Sequence, residues 1–223
     1  MKIVITGASR GIGFESAKLF AASGHQVLAV SRNSDKLSAL AKCGITTFSF
    51  DLTSEDYTDL IEKVKGFGKI DVLINNAGAL VNKPFSEISD ADLQLIYNVN
   101  VFAPFRLVRD LYPYFSCKSH TINVSSVGGV QGSVKFPGLS AYSSSKGALI
   151  TLTELLAEEY KNSGPSFNVL ALGAVQTEML DEVFPGYNAP NTAAEMASHI
   201  FQFSISGHKF YNGKLIQISK STP

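Results

Sequence analysis

Seven short β-rich runs recur along the chain: Lys2–Thr6, Gln26–Ser31, Ile45–Phe50, Ile70–Asn75, His120–Ser125, Phe167–Leu172 and Lys214–Ser219. Between them, apolar residues fall three and four apart, as in Ala17, Phe20 and Ala21 or Leu60, Ile61 and Val64. Strands that alternate with helices over a whole sequence signal a parallel sheet covered on both faces. The continuous apolar run Val72–Ile74 suits a strand buried on both sides. No Gly/Ser-rich or charged linker, internal repeat or low-complexity segment divides the chain. The expectation is therefore one α/β domain over residues 1–223, a doubly wound, mostly parallel, seven-stranded sheet with helices on both faces.

Charge excludes some partners. Lys plus Arg number 19 and Asp plus Glu number 19, so no excess positive field holds a polyanion, and nucleic acid is not an expected partner. Near-zero net charge leaves self-association open. Cys43 and Cys117 form no spaced framework, and His25, His120, His199 and His208 are scattered, so no metal site is expected. Only Ile3–Ile5 separate Met1-Lys2 from Thr6-Gly7, too little for a signal-peptide core. No apolar run approaches the roughly 18 residues of a membrane span. A cytoplasmic protein without a membrane partner is expected.

The first strand runs straight into Thr6-Gly7-Ala8-Ser9-Arg10-Gly11-Ile12-Gly13, with a helical pattern from about Phe14. Glycines permit a sharp turn and close approach of backbone amides to an anion, and a helix N-terminus adds free N–H donors. The position after a first strand favours a phosphate-binding turn over an ordinary glycine-rich one. The same letters contain a G-x-S-x-G around Ser9. A nucleophile elbow needs acid and histidine partners and an oxyanion loop deeper in a sheet, so a serine hydrolase is disfavoured. Ser31 and Arg32 close the second strand, where an acid would serve ribose hydroxyls; Arg32 and Arg10 instead suit a 2′-phosphate.

Tyr142 and Lys146 stand at i and i+4 in a helical pattern ending near Tyr160, on one helix face. An ammonium beside a phenol is expected to lower the phenol pKa towards neutrality and make a usable acid/base pair. A second helical pattern runs from Ser89, with Asp92 as capping partner, through Asn100. Pro104 has no N–H for the Asn100 carbonyl and its ring crowds it, so a kink that frees this oxygen is expected.

In order, Thr6-Gly7-x-x-x-Gly11-x-Gly13, Asn75-Asn76-Ala77-Gly78, Asn100, Ser125-Ser126 and Tyr142-x-x-x-Lys146 resemble the motifs of the short-chain dehydrogenase/reductase family, from Lys2 to Ser219. The resemblance implies a Rossmann-type fold, with a nucleotide half over about residues 1–100 and a catalytic half over about 100–223. It implies NAD or NADP chemistry on a small carbonyl or alcohol substrate. By the same resemblance Tyr142 exchanges a proton with the substrate oxygen, and Lys146 lowers its pKa and holds the nicotinamide ribose. Ser126 hydrogen-bonds the substrate oxygen, and the Asn100 carbonyl holds a relay water. Asp51 and Leu52 flank the adenine with Asn76 beneath it, Ser31 and Arg32 face the ribose, and Thr177 holds the carboxamide. Gly7, Ser9, Arg10, Gly11, Ile12, Gly13, Ala77, Gly78 and Val175 complete the implied cofactor set.

Two departures stand out. Leu172-Gly173 replaces the usual Pro-Gly, and the interval from Ser126 to Tyr142 is longer than usual, with Gly128, Gly129 and Gly132 inside it. The expected function is NADP(H)-preferring carbonyl–alcohol oxidoreduction, with NAD(H) as the lesser cofactor. The alternative is a nucleotide-binding regulatory or scaffold protein. Met179, Leu180, Val183, Phe184 and Tyr187 are too apolar for a solvated loop, so Glu178–Asn191 is expected to be a mobile lid with Phe184 or Tyr187 on substrate. The apolar excess of the Tyr142 helix predicts a homodimer or homotetramer through it and the Asn100–Leu111 helix, as in the family.

Overall fold

The structure is a computed structural model that describes residues 1–220, so the last three residues of the expected domain lie outside it. The first half runs β1 (Lys2–Thr6), α1 (Gly11–Ala22), β2 (Gln26–Ser31), α2 (Ser34–Ala41), β3 (Thr46–Ser49), α3 (Thr58–Phe67) and β4 (Ile70–Asn75). Then come α4 (Asp90–Tyr97), α5 (Ala103–Leu111), β5 (Phe115–Ser126), α6 (Ser140–Glu159) and β6 (Ser166–Leu172). The chain continues through β7 (Val175–Gln176), α7 (Glu178–Val183), β8 (Asn191–Thr192), α8 (Ala193–Ser206) and β9 (Lys214–Ile218).

Seven strands form one sheet in the order β3-β2-β1-β4-β5-β6-β9, every pair parallel. Successive strand residues face opposite layers. Ile3 and Ile5 pack with Phe20 of α1 and Ile200 of α8, while Val4 packs with Leu60 of α3 and Leu107 of α5. A fully buried side chain such as Phe20 contributes about 1.5–3 kcal/mol. This is the Rossmann-type doubly wound fold. The chain winds from β1 to β3 on one side and from β4 onward on the other, so a crevice opens where the directions part, above the strand C-termini.

The structure departs from the sequence reading in four places. β5 begins at Phe115, five residues before the expected start at His120. Helix α1 starts at Gly11, inside the glycine turn, and not near Phe14. The two-residue strands β7 and β8 pair with each other and tie off the base of residues 178–190. In place of a simple proline kink, Asn98–Phe102 widen into a π-turn in which the Ala103 N–H reaches Asn98 O. Pro104 then falls in the first turn of α5, where a missing N–H costs nothing. The Ser89–Asp92 capping box at the start of α4 is formed as expected.

Candidate active site

The glycine turn is shaped by contacts that no side chain could share. Gly7 has φ +66°, and a Cβ there would lie 2.7 Å from Ala77 Cα; one on Gly13 would lie 2.4 Å from Gly7 O and 2.5 Å from Asn76 Nδ2. Asn76 Nδ2 donates to Thr6 O (3.0 Å) and Gly7 O (3.2 Å), while the Thr6 hydroxyl accepts the Asn76 and Ala77 amides. Asn76 thus clamps the turn onto the end of β4. The N-terminus of α1 carries no side-chain cap and no acid in its first turn. Its dipole end and amides, behind a turn kept free of side chains, fit a pyrophosphate.

From this turn a cleft of about 620 Å³ runs across the C-terminal ends of the strands. From β2 to β5 is three strand spacings, about 14 Å, the span of an extended dinucleotide. At the β2 end lie Ser9, Arg10, Ser31 and Arg32, with the Ser31 hydroxyl donating to Ser9 Oγ (2.9 Å). Arg10 pairs with Glu182 of α7, and that carboxylate raises its pKa further. Asp51 and Leu52 follow β3; Asp51 accepts from the Thr53 amide and hydroxyl, and Leu52 is buried.

At the β5 end Ser126, Tyr142 and Lys146 meet. Lys146 is buried, and its Nζ donates to Val124 O (2.8 Å) and stands 5.8 Å from the Tyr142 ring centre. Burial lowers its pKa to about 8. Tyr142 keeps part of its surface on the cleft. Its surroundings push its phenol pKa up, against a smaller downward pull from its hydrogen bond with Ser126. This reverses the expected lowering by Lys146. Spacing puts the two groups on one face, but the lost hydration of a phenolate outweighs an ammonium that is bound to a main-chain carbonyl. Ser126 also accepts the Gly128 amide (3.2 Å), whereas the Ser125 hydroxyl points back to Lys146 O (2.9 Å).

Of the expected catalytic, cofactor and substrate residues, Gly13 and Asn100 stand behind the wall and the rest line the cleft. Gly13 seats the turn. Asn100 is fully buried: its Oδ1 accepts Ala79 N (2.8 Å), and its Nδ2 donates to Ala79 O (2.9 Å) and Ser145 Oγ (2.9 Å). The Ser145 hydroxyl in turn donates to Tyr142 O (2.7 Å), joining the π-turn to α6. A second buried chain was missed in the sequence. Asn75 donates to Asn123 (2.8 Å), and Asn123 donates to Thr153 of α6 (2.9 Å), locking β4, β5 and α6. Asparagines inside otherwise apolar strands were the available signal.

Loops border the cleft beyond Tyr142. Val175 is buried, and Thr177 caps α7 by accepting the Leu180 amide (3.3 Å). Beyond it Met179, Leu180, Phe184 and Tyr187 border the cleft. The longer β5–α6 connection is held by Lys135, which donates to Gly128 O (2.9 Å) and Val130 O (2.6 Å). Gly173, in place of a Pro-Gly turn, is fixed by its N–H to Ile218 O of β9 (2.9 Å). Among the described residues no cluster of His, Cys, Asp or Glu could hold a metal ion, and no helix is long and apolar enough to cross a membrane.

Known proteins resemble this chain in sequence and fold. A family model described as short chain dehydrogenase matches residues 1–188. Gluconate 5-dehydrogenase of Gluconobacter oxydans is 31% identical over 242 residues, covering 97% of this chain and 92% of that protein. L-2,3-butanediol dehydrogenase of Corynebacterium glutamicum is 32% identical over 193 residues, covering 81% of this chain and 74% of that one. Among solved structures, 4-hydroxyisoleucine dehydrogenase complexed with NADH superposes with a TM-score of 0.88 at 26% identity, covering 98% of this chain and 96% of that one. A short chain dehydrogenase from Shigella flexneri complexed with NADP superposes with the same TM-score of 0.88 at 27% identity, covering 97% and 95%. The chain belongs to the short-chain dehydrogenase/reductase family, oxidoreductases that act on small-molecule substrates with a nucleotide cofactor.

Proposed function

We propose that the protein is an NADP(H)-dependent oxidoreductase that interconverts a carbonyl compound and a secondary alcohol, with Tyr142 as its acid/base. The observation that carries this reading is one cleft with a phosphate turn and two arginines at one end and Tyr142, Ser126 and Lys146 at the other. When bound, the nicotinamide supplies or accepts the hydride. Tyr142, its phenol kept neutral by burial, holds the proton that passes to the carbonyl oxygen. Ser126 orients that oxygen, and Lys146, charged below about pH 8, stabilises the phenolate left behind. Asn100 sets the π-turn against α6, and its carbonyl, which Pro104 cannot engage, would accept a relay water. The neutral phenol is the form that donates a proton to a carbonyl oxygen.

Cofactor choice rests on the β2 end. β2 closes on Ser31 and Arg32 where an acid would meet ribose hydroxyls, and Arg32 and the Glu182-paired Arg10 flank the position. Gly7, Ser9, Gly11, Ile12, Gly13, Asn76, Ala77 and Gly78 would hold the pyrophosphate and adjoining ribose, Asp51 and Leu52 the adenine, and Val175 and Thr177 the carboxamide. Phe184 and Tyr187 close over substrate from the lid. Leu155 of α6 and Phe102 and Phe105 beside it are 63%, 45% and 48% exposed, apolar surface suited to a homodimer or homotetramer. A cytoplasmic location fits the near-neutral, cysteine-poor composition.

Steady-state turnover of a carbonyl panel with each cofactor tests the reading. NADPH should exceed NADH in kcat/KM by more than about tenfold, since bonds to charged groups are worth roughly 1.5–3 kcal/mol. Arg32→Asp should abolish the preference. Tyr142→Phe should cut kcat by roughly 10²-fold with cofactor binding retained. Equal efficiency with both cofactors would overturn the NADP assignment, and near-normal turnover by Tyr142→Phe would overturn the acid/base assignment.

A further inference from the structure

The catalytic end of the cleft contains a polar group that the reaction as described does not use. Ser143, the residue after Tyr142 on α6, lines the cleft, and its hydroxyl has no hydrogen-bond partner among the described residues. Its amide is already committed to Leu139 O (2.8 Å), so the free group is the side chain. The neighbouring serines are all engaged: Ser125 bonds Lys146 O, Ser145 bonds Tyr142 O, and Ser144 bonds Ala141 O.

Gly128 fixes where this hydroxyl points. The position that a Cβ on Gly128 would occupy lies 3.1 Å from Ser143 Oγ and 3.6 Å from Ser126 Oγ. Both hydroxyls therefore look onto one small space, floored by a residue with no side chain. Gly128 does not need φ above zero, so the glycine serves the space and not the turn. A polar atom left unpaired in a site that a ligand will dehydrate costs binding unless the ligand pairs with it.

Apolar side chains line much of the cleft as well. Leu80, Val127, Leu139, Met179, Phe184 and Tyr187 border it. Lys146 has its ammonium on Val124 O, and Lys135 is spent on loop carbonyls. Arg32 follows β2 at the far end of the cleft, and Arg10 is already paired with Glu182. Among the described residues that line the cleft, no cation is left free beside Ser126 and Tyr142 to await a carboxylate or phosphate on the substrate.

We propose that Ser143 is a specificity-determining residue that binds a second, uncharged oxygen on the carbon next to the reacting carbonyl. The substrates are then neutral α-hydroxy ketones or α-diketones, and the corresponding vicinal diols in reverse. The inference rests on the carbonyl–alcohol reading above and deepens it. With the reacting oxygen between Ser126 and Tyr142, an oxygen one carbon away falls within reach of Ser143, and the apolar border takes the carbon chain. Ser143 takes no part in proton or hydride transfer; it selects what is held there.

The test compares 2-butanone, 3-hydroxy-2-butanone and 2,3-butanedione with NADPH, using the unmodified protein, Ser143→Ala and Gly128→Ala. The unmodified protein should prefer the two oxygenated ketones over 2-butanone by at least about fivefold in kcat/KM, the scale of one well-made hydrogen bond. Ser143→Ala should bring that ratio close to one, chiefly through KM, with thermal melting confirming the fold. Gly128→Ala, which fills the shared space, should also erase the ratio. An unchanged ratio in Ser143→Ala, or an equal fall on all three ketones, would overturn the proposal while leaving the oxidoreductase reading in place. No turnover of any ketone, with NADPH binding intact by fluorescence titration, would instead overturn the carbonyl reading and this inference with it.

Discussion

Replacing Gly129 with alanine should damage catalysis far more than stability. Gly129 follows Ser126 by three residues and packs directly on the backbone of α6. A Cβ there would lie 2.7 Å from both the Lys146 carbonyl carbon and the Gly147 amide nitrogen, and 2.8 Å from Lys146 Cβ. Ordinary van der Waals contact begins near 3.4 Å, so loop and helix would have to part by roughly 0.7 Å. The obstruction is backbone, which cannot rotate away, and Gly147 meets Gly129 O at 3.2 Å from its own Cβ position, so the approach is tight from both sides. Gly129 has no positive φ, so alanine brings no backbone strain and the contact alone is tested. Overpacking of this size costs about 1–3 kcal/mol of stability. A shift approaching 1 Å in reacting groups costs on the order of 10²-fold in rate. Since Tyr142 and Lys146 both ride on α6, kcat should fall by roughly 30- to 100-fold in a protein that still melts cooperatively. Steady-state kinetics beside thermal melting read the two effects. Gly66→Ala is the control: it lies in α3 with nothing within 4 Å and ordinary φ, and should leave the kinetics alone. A folded Gly129→Ala protein with kcat within twofold of the parent would refute the argument that this contact positions the catalytic pair.

Two further outcomes follow from other parts of the molecule. His120 is buried and neutral: its Nδ1 lies 3.2 Å from Ser204 O, its Nε2 is 2.9 Å from Asn168 Nδ2, and burial holds its pKa down to about 4. Since the folded value lies below the unfolded value near 6.5, its contribution is complete above that pH and lost as pH falls towards 4. The loss is up to about 3 kcal/mol and should be smaller in His120→Gln when urea midpoints are compared between pH 7 and 4.5; parallel pH profiles would contradict it. Glu182→Gln frees Arg10 from its ion pair, so KM for NADPH should fall by up to about fivefold, the scale of an exposed pair, with KM for NADH steady. An equal shift for both cofactors would mean that the pair only braces α7.

What could be read from the sequence was whatever is local. The seven strands, the Ser89–Asp92 cap and the end of α6 at Tyr160 each follow from neighbours within a few residues. The glycine turn was legible because three glycines directly after a first strand leave little else for the chain to do. β7 and β8 were not, because two residues carry no periodicity and their pairing joins Val175 to Asn191 across a loop. The π-turn escaped because Pro104 announces only that an i+4 bond is missing. The widened turn contains Asn100, whose side chain is held by the distant Ala79 and Ser145, contacts that no local pattern announces.

The same division explains the one reversal at the candidate site. Sequence spacing places Tyr142 and Lys146 on one helical face, and from spacing alone the charge should dominate the phenol. What the spacing omits is where each group stands in depth. Asn75, Asn123 and Thr153 form a buried polar chain that seats α6 against β5, and this seating brings Lys146 Nζ onto Val124 O. The contact that makes the lysine part of the site therefore also fixes its ammonium on the main chain. Dehydration then acts on both groups in opposite senses, lowering the ammonium and raising the phenol. A neutral phenol beside a charged lysine is a proton donor already in its reactive form. Arg10 shows the same logic at the other end of the cleft: its place after Ser9 is local, but its partner Glu182 arrives from α7 only once the sheet is closed. Residue types at a fixed spacing thus name the participants, while the long-range contacts that seat the helices decide their charge states and partners.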